Sequence, residues 1–399
     1  MWARWARWTS SRAAILGVLL TVGACSRQPL SAPAVAGEAR GDDPDRLRGL
    51  LTGTLVGDAL GGPAEFRYPP QRSAIALDTA ALTPARIGRL GAALALLPYP
   101  GERQAFGAWR DAAPAGTVTD DSRLKLIYAN SLDRRGRSSE RRMARALLDF
   151  PTAVAPAFDS LAAAWLAEFV PSALWTLGRR NDPRAEPVDA LWAGVPTNLG
   201  QMAFLPAAAL HPAAPEAAYR AAWVADYFDQ GQARDLHAAT VAALSHALAD
   251  TATWAGVWAA AIATDPFSLD NIPWARRRTT YWIDFARAAA RRSEGVPAEL
   301  FRILESDAQA IQWWDAWVPL VVAIAVGELT DYEPRAWLQL AIAFGHDTDS
   351  YCQLIGAFAG AMYGEDVWPA AWREAVYARL EADYGVGREE WFGYWDVDP

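Results

Sequence analysis

WLQLAIAFGHDTDSYCQLIGAFAGAMYG, residues 337–364, carries apolar residues at the three- and four-residue spacing of buried helices. Its centre, HDTDS, concentrates oxygen-bearing side chains at the start of the second helical run. The same helical spacing recurs in DRLRGLLTGTLVGDALG (45–61), SSERRMARALLDF (138–150), AAYRAAWVADYF (217–228) and DLHAATVAALSHALAD (235–250). Alternating β-branched runs bounded by turn signals are nearly absent, so the fold class is all-α. Proline pairs and glycines punctuate the loops, as at Pro69-Pro70, Pro212, Pro215, Pro266, Pro273 and Pro334. With no internal repeat and no dividing linker, residues 46–399 read as one large helical domain.

The chain has 399 residues, 52% of them hydrophobic, with 20 Trp and a formal charge of −9. Lys125 is its one lysine, and arginine supplies the remaining positive charge. An acidic chain without a basic stripe lacks the means to neutralise phosphates along a nucleic acid, so no nucleic-acid partner is expected.

The N-terminus reads differently. MWARWARWTSSR carries Arg4, Arg7 and Arg12, and AAILGVLLTVGA follows as a short apolar run ending in small residues. That order is a secretory signal, too short to span a bilayer comfortably. VGAC before Ser26 resembles a bacterial lipobox, so residues 1–24 read as a lipoprotein signal peptide with Cys25 as the lipidated mature N-terminus. Residues 25–45, rich in Pro, Ala, Gly and Asp, read as a flexible tether. The expected location is a bacterial cell envelope, lipid-anchored on its periplasmic or extracellular face. Only Cys352 then remains, which leaves no intrachain disulfide.

GTLVGDALGGPAE (53–65) and IGAFAGAMYG (355–364) place glycines four residues apart. Glycine costs helix propensity, so the pattern implies that two backbones need to approach closely, and two helices crossing at the domain centre are expected. Asp58, on the first of them, reads as a buried carboxylate bonded to neighbouring backbone.

Three places concentrate oxygen ligands: Glu65 after the first Gly-rich helix; Thr119, Asp120 and Asp121 at the start of a helix reaching about Leu132; and Asp347, Asp349 and Ser350. Residues two apart on a continuous helix lie about 200° apart and cannot face one ion. With Asp347 at the N-cap its backbone leaves the helical region, so Asp349 and Ser350 can converge with it. Thr119 caps its helix in the same way. Acidic first turns are also favoured by capping and by the helix dipole, which accounts for either cluster alone. Two such helix ends meeting would repel unless a cation lay between them. The donors, all hard oxygens, suit Mg²⁺ or Mn²⁺.

GTLVGDALGGPAEF, TVTDDSRLKLIYANSL and GHDTDSYCQLIGAFAGAMYG, in this order over roughly residues 46–365, resemble the three-part signature of the ADP-ribosylglycohydrolases. That family includes the ADP-ribosyl-arginine and ADP-ribosyl-serine hydrolases and the glycohydrolase that reactivates ADP-ribosylated dinitrogenase reductase. The resemblance implies an all-α domain with a central cleft holding two divalent cations, Mg²⁺ or Mn²⁺. It implies Thr119, Asp120, Asp121, Asp347, Asp349 and Ser350 as metal ligands and Glu65 as the mobile glutamate of catalysis, with Asp120 and Asp349 as second candidates for acid/base work. The implied reaction is metal-dependent hydrolysis of an N- or O-glycosidic ADP-ribosyl bond in a protein or small molecule. An envelope-anchored ADP-ribose or nucleotide binder with little catalysis is the alternative.

The departures from the family pattern are local. Gly345-His346 stands where many members have Gly-Gly, making His346 a candidate substrate contact or a turn residue, and Ser350 replaces Thr. The central segment that lines the family's ADP-ribose pocket is echoed by PTNLGQMAF (196–204). Asn198 and Met202 correspond as substrate-binding candidates, and Ala203 stands in place of the family's Arg. The stretch between Glu65 and Thr119 is longer than in typical members and is expected to cover the cleft or add a helix. His211, His237 and His246 lack metal-binding spacing and read as structural. Trp313, Trp314 and Trp317 read as core.

Overall fold

The computed structural model describes residues 43–67, 75, 78–101, 111–153, 160–273, 277–308, 310 and 312–397. The stretch read as a signal peptide, Cys25 and the expected tether up to residue 42 lie outside them. Among the described residues the fold is all-α, without strands and with two isolated antiparallel bridges, Tyr99 with Ala113 and Thr197 with Asp315. No described helix is long and apolar enough to cross a membrane.

The helices are α1 (Pro44–Gly61), α2 (Pro84–Ala93), α3 (Asp120–Ser131), α4 (Glu140–Ala153), α5 (Ser160–Thr176), α6 (Leu199–Phe204), α7 (Pro215–Ala225) and α8 (Gly231–Ala247). They continue as α9 (Trp254–Ala263), α10 (Thr279–Arg292), α11 (Pro297–Asp307), α12 (Val318–Thr330), α13 (Pro334–Phe344), α14 (Thr348–Tyr363), α15 (Ala370–Tyr384) and α16 (Arg388–Gly393). Local chemistry sets several starts. Asp43, Thr83, Thr253 and Glu333 cap their helices through side-chain oxygens, and α1, α2 and α13 carry proline at the first turn.

α1 and α14 form the centre. Every residue from Gly49 to Gly61 and from Thr348 to Ala361 is buried, as expected of helices apolar all round. A Cβ on Gly53 would stand 2.0 Å from the Gly356 carbonyl oxygen, one on Gly57 2.0 Å from that of Cys352, and one on Gly61 2.4 Å from that of Thr348. As the α1 number rises by four the α14 number falls by four. The sequence pattern suggested two crossing helices; they instead run antiparallel, backbone against backbone, over several turns. Without side chains between them nothing forces an angle. The consequence is positional: the C-terminal end of α1 lies beside the N-terminal end of α14.

The long stretch before Thr119 does add a helix: α2 packs on α13, and Arg335 of α13 donates to the Leu94 carbonyl just beyond α2 at 3.3 Å. Trp317 stacks on Trp282 with ring centroids 4.8 Å apart, and Trp313 packs against the core. Trp314 departs from the expected core placement. It sits in the loop between α11 and α12, is 37% exposed, and meets Phe66 edge-on.

Candidate active site

Asp58, fully buried, lies one turn before the end of α1. Its carboxylate accepts from the Thr119 N–H at 3.0 Å, the Ser122 N–H at 3.1 Å, the Thr119 hydroxyl at 2.7 Å and the Ser122 hydroxyl. The first N–H groups of a helix have no partner within it. Asp58 satisfies two of them from another helix and so seats the start of α3 against the end of α1.

Thr119 is the N-cap of α3, its Oγ1 accepting from the Asp121 N–H at 3.3 Å. That same oxygen lies 2.9 Å from Asp349 Oδ2. Asp347 precedes α14 with φ −81° and ψ 66°, outside the helical region. Its carboxylate therefore converges with Asp349 instead of facing away. Ligand oxygens of Glu65, Asp347 and Asp349 lie within 4.8 Å of one another, and so do those of Asp120, Asp121 and Asp349. Asp349 belongs to both groups. Ser350 Oγ stands 3.5 Å from Asp121 Oδ1.

The electrostatics are those of crowded anions. Burial raises the Asp120 carboxyl to about 6 and that of Asp347 to about 7. Asp121 and Asp349 are pushed well above the ordinary carboxylate range, first by burial and then by repulsion from their acidic neighbours. Asp121 Oδ2 and Asp349 Oδ1 are buried with no hydrogen-bond partner. A buried polar oxygen without a partner costs about 1–3 kcal/mol, and more when charged, unless an ion or water satisfies it. An all-oxygen, net negative group with such orphaned oxygens fits a hard divalent cation.

Lys125 is the residue that sequence reasoning passed over. It follows Asp121 by one turn, is fully buried, and its Nζ has no hydrogen-bond partner. Burial lowers its pKa; the charges of Asp121, Asp58, Asp349 and Asp120 pull the other way. The signal was present in composition: the one lysine of the chain stands four residues after the TDD motif.

Residues 39–390 match the model of the ADP-ribosylglycohydrolase family. The chain belongs to that family. A solved structure titled "ADP-ribosylglycohydrolase-related protein complex" superposes with a TM-score of 0.50 at 18% identity, covering 89% of this chain and 98% of that one, a likeness of fold. No curated protein matches the chain in sequence.

As an ADP-ribosylglycohydrolase the protein is a hydrolase of the glycoside type, with acidic clusters able to bind metal. The remaining candidates are distributed around this cluster. Asn198 Nδ2 donates to Asp347 Oδ2 at 2.8 Å and to Ser350 Oγ at 3.0 Å. Met202, one turn further along α6, is instead part of the hydrophobic core. His346 stacks on Trp313 with centroids 3.8 Å apart and pairs with Glu305 at 3.3 Å. Its carbonyl accepts from the Phe66 N–H at 2.6 Å. His346 thus holds the turn that carries Glu65, a turn in which Phe66 adopts φ 47°. Glu65 itself is half-buried.

Proposed function

We propose that this ADP-ribosylglycohydrolase is metal-dependent and cleaves an N- or O-glycosidic bond to ADP-ribose in a protein or small-molecule acceptor. The observation that carries the reading is Asp349, shared between two groups of convergent carboxylates and left with one orphaned oxygen. Thr119, Asp120, Asp121, Asp347, Asp349 and Ser350 would hold two ions, Mg²⁺ or Mn²⁺. When bound, such ions fix sugar hydroxyls and polarise a water.

The chain's own groups supply the rest. Asn198 orients Asp347 and Ser350, and Asp58 orients Thr119. Glu65 stands on a turn beside Asp347 and Asp349, placed to give a proton to the leaving atom and take one from water as oxocarbenium-like charge develops. Asp120 and Asp349 are the second candidates for that work. The basic, apolar and small order of residues 1–24 and the VGAC stretch support attachment to a bacterial envelope through Cys25.

The test is thermal. Mg²⁺ or Mn²⁺ raises the melting temperature of the wild type, and Asp120→Ala with Asp349→Ala removes the rise. No shift with either metal sinks the metal reading. ADP-ribosyl-arginine, ADP-ribosyl-serine and O-acetyl-ADP-ribose, each with and without metal, then report cleavage. Binding of ADP-ribose without product from any of them makes the protein a binder instead.

A further inference from the structure

His237, on α8, is fully buried, and both its ring nitrogens are engaged. Nε2 lies 2.9 Å from the Thr197 carbonyl oxygen, and Nδ1 lies 2.9 Å from Asp226 Oδ2. A carbonyl only accepts, so Nε2 carries a proton. Burial alone would lower this imidazole, but the Asp226 bond and the charges of Asp229 and Asp226 hold it above its ordinary value.

The segment it grips leads straight to the active site. Thr197 gives its N–H to Asp229 Oδ1 at 2.8 Å and its hydroxyl to Asp229 Oδ2 at 3.0 Å. The Asn198 N–H donates to the Trp314 carbonyl at 3.0 Å on the other side. The Asn198 side chain then reaches Asp347 and Ser350. Gly200 leaves room for the ring: a Cβ there would lie 2.1 Å from His237 Nδ1.

Asp226, Asp229 and His237 also have the composition of a metal site. Their donors, however, are occupied internally: Asp226 Oδ1 accepts from the Phe228 and Asp229 N–H groups, and Asp229 is taken by Thr197. The cluster is a clamp made of hydrogen bonds.

We propose that His237 is a positioning residue that acts through the Thr197 carbonyl on Asn198, and through Asn198 on Asp347 and Ser350. The inference rests on the metal reading above, because its readout is ion affinity. Partners that orient metal ligands typically change affinity by about 10–100-fold when removed.

The experiment is a Mn²⁺ titration by calorimetry on wild type, His237→Phe, Asn198→Ala and the double variant. His237→Phe keeps a ring in the space and removes the donor. Each single variant weakens Mn²⁺ binding by about tenfold or more, and the double variant is no weaker than the worse single one, since both cut one chain of contacts. Wild-type affinity in His237→Phe, or losses that simply add, overturns the proposal. His237→Gln forms the second arm: its amide keeps a donor for Thr197, so it binds Mn²⁺ within about threefold of wild type, about 0.6–0.7 kcal/mol. A loss of about tenfold or more in a folded His237→Gln overturns the proposal even when His237→Phe does not fold. If the wild type binds no Mn²⁺, the metal reading falls, and the same cycle read by ADP-ribose affinity decides the clamp on the same two criteria.

Discussion

Thr119 Oγ1 stands 2.9 Å from Asp349 Oδ2 and 2.7 Å from Asp58 Oδ1, joining two helix starts 230 residues apart. One hydroxyl proton cannot serve both carboxylates, so the second contact needs a proton on Asp349 or a cation between the helix ends. Thr119→Val keeps the shape and removes the hydroxyl. It is expected to cost about 0.5–2 kcal/mol in denaturant unfolding, the usual range for a lost cap, and to weaken Mn²⁺ binding. Thr119→Ser recovers both. Unchanged unfolding in Thr119→Val would show that the hydroxyl is a bystander.

The crowded carboxyls predict how metal-free stability varies with pH. In the unfolded chain they lose protons near about pH 4. In the folded chain Asp120 keeps its proton to about 6 and Asp347 to about 7. Between those limits the folded state binds more protons than the unfolded state, so stability falls as pH rises. The raised His237 adds the same sign, and His211 and His246, lowered by burial, oppose it and make the net drop smaller. Asp133 and Asp182, lowered to about 2 by their hydrogen bonds, act only below this window. In chelator the melting temperature is expected to drop from about pH 5 to pH 7.5, with a smaller drop in Asp347→Asn and under saturating Mn²⁺. A flat profile in chelator contradicts the burial of these groups.

Two glycine substitutions should move stability in opposite directions. Gly53→Ala drives a methyl to 2.0 Å from the Gly356 carbonyl oxygen, so α1 and α14 must separate. About 1–3 kcal/mol or more is lost to overpacking, and the site widens with it. Gly88, inside α2, has open space within 4 Å of the point where a methyl would stand. Gly88→Ala should therefore add about 0.5–1 kcal/mol through helix propensity and a less flexible unfolded chain. Chemical denaturation of both variants checks the pair, and a stabilised Gly53→Ala would refute the close helix contact.

Lys125→Met removes the buried amine one turn after Asp121, the cation whose charge the surrounding carboxylates favour. With less cationic charge the carboxylates repel more in the metal-free protein and attract a divalent ion more strongly. The expected result is a lower melting temperature in chelator and tighter Mn²⁺ binding. Weaker Mn²⁺ binding in Lys125→Met would mean that the lysine supports the ligands by packing, not by charge.

Much of the site was legible in the sequence because its parts are local signals. TDD announces a helix start through the Thr119 cap and HDTDS through an acidic first turn, and the glycine spacing announces a close backbone contact. Those are properties of a few consecutive residues. Asp58 also declared itself, as a carboxylate set among small residues on a helix that had to be buried.

What only the tertiary structure decided is which ends meet. Nothing in the glycine pattern distinguishes a crossing from an antiparallel alignment, and only the alignment lays the end of α1 against the start of α14. That geometry places Glu65 beside Asp347 and lets Asp349 serve two carboxylate groups. Met202 went to the core and His346 to a turn because neighbours distant in sequence fill their surroundings. His237 gave no local pattern, and Lys125 gave only its place as the one lysine, four residues after the TDD motif. Their roles come from burial, where low dielectric makes each charge matter: Lys125 meets Asp58 and Asp349 of other helices as well as its own Asp121, and His237 meets the Thr197 carbonyl, and such meetings are a property the chain acquires only by folding.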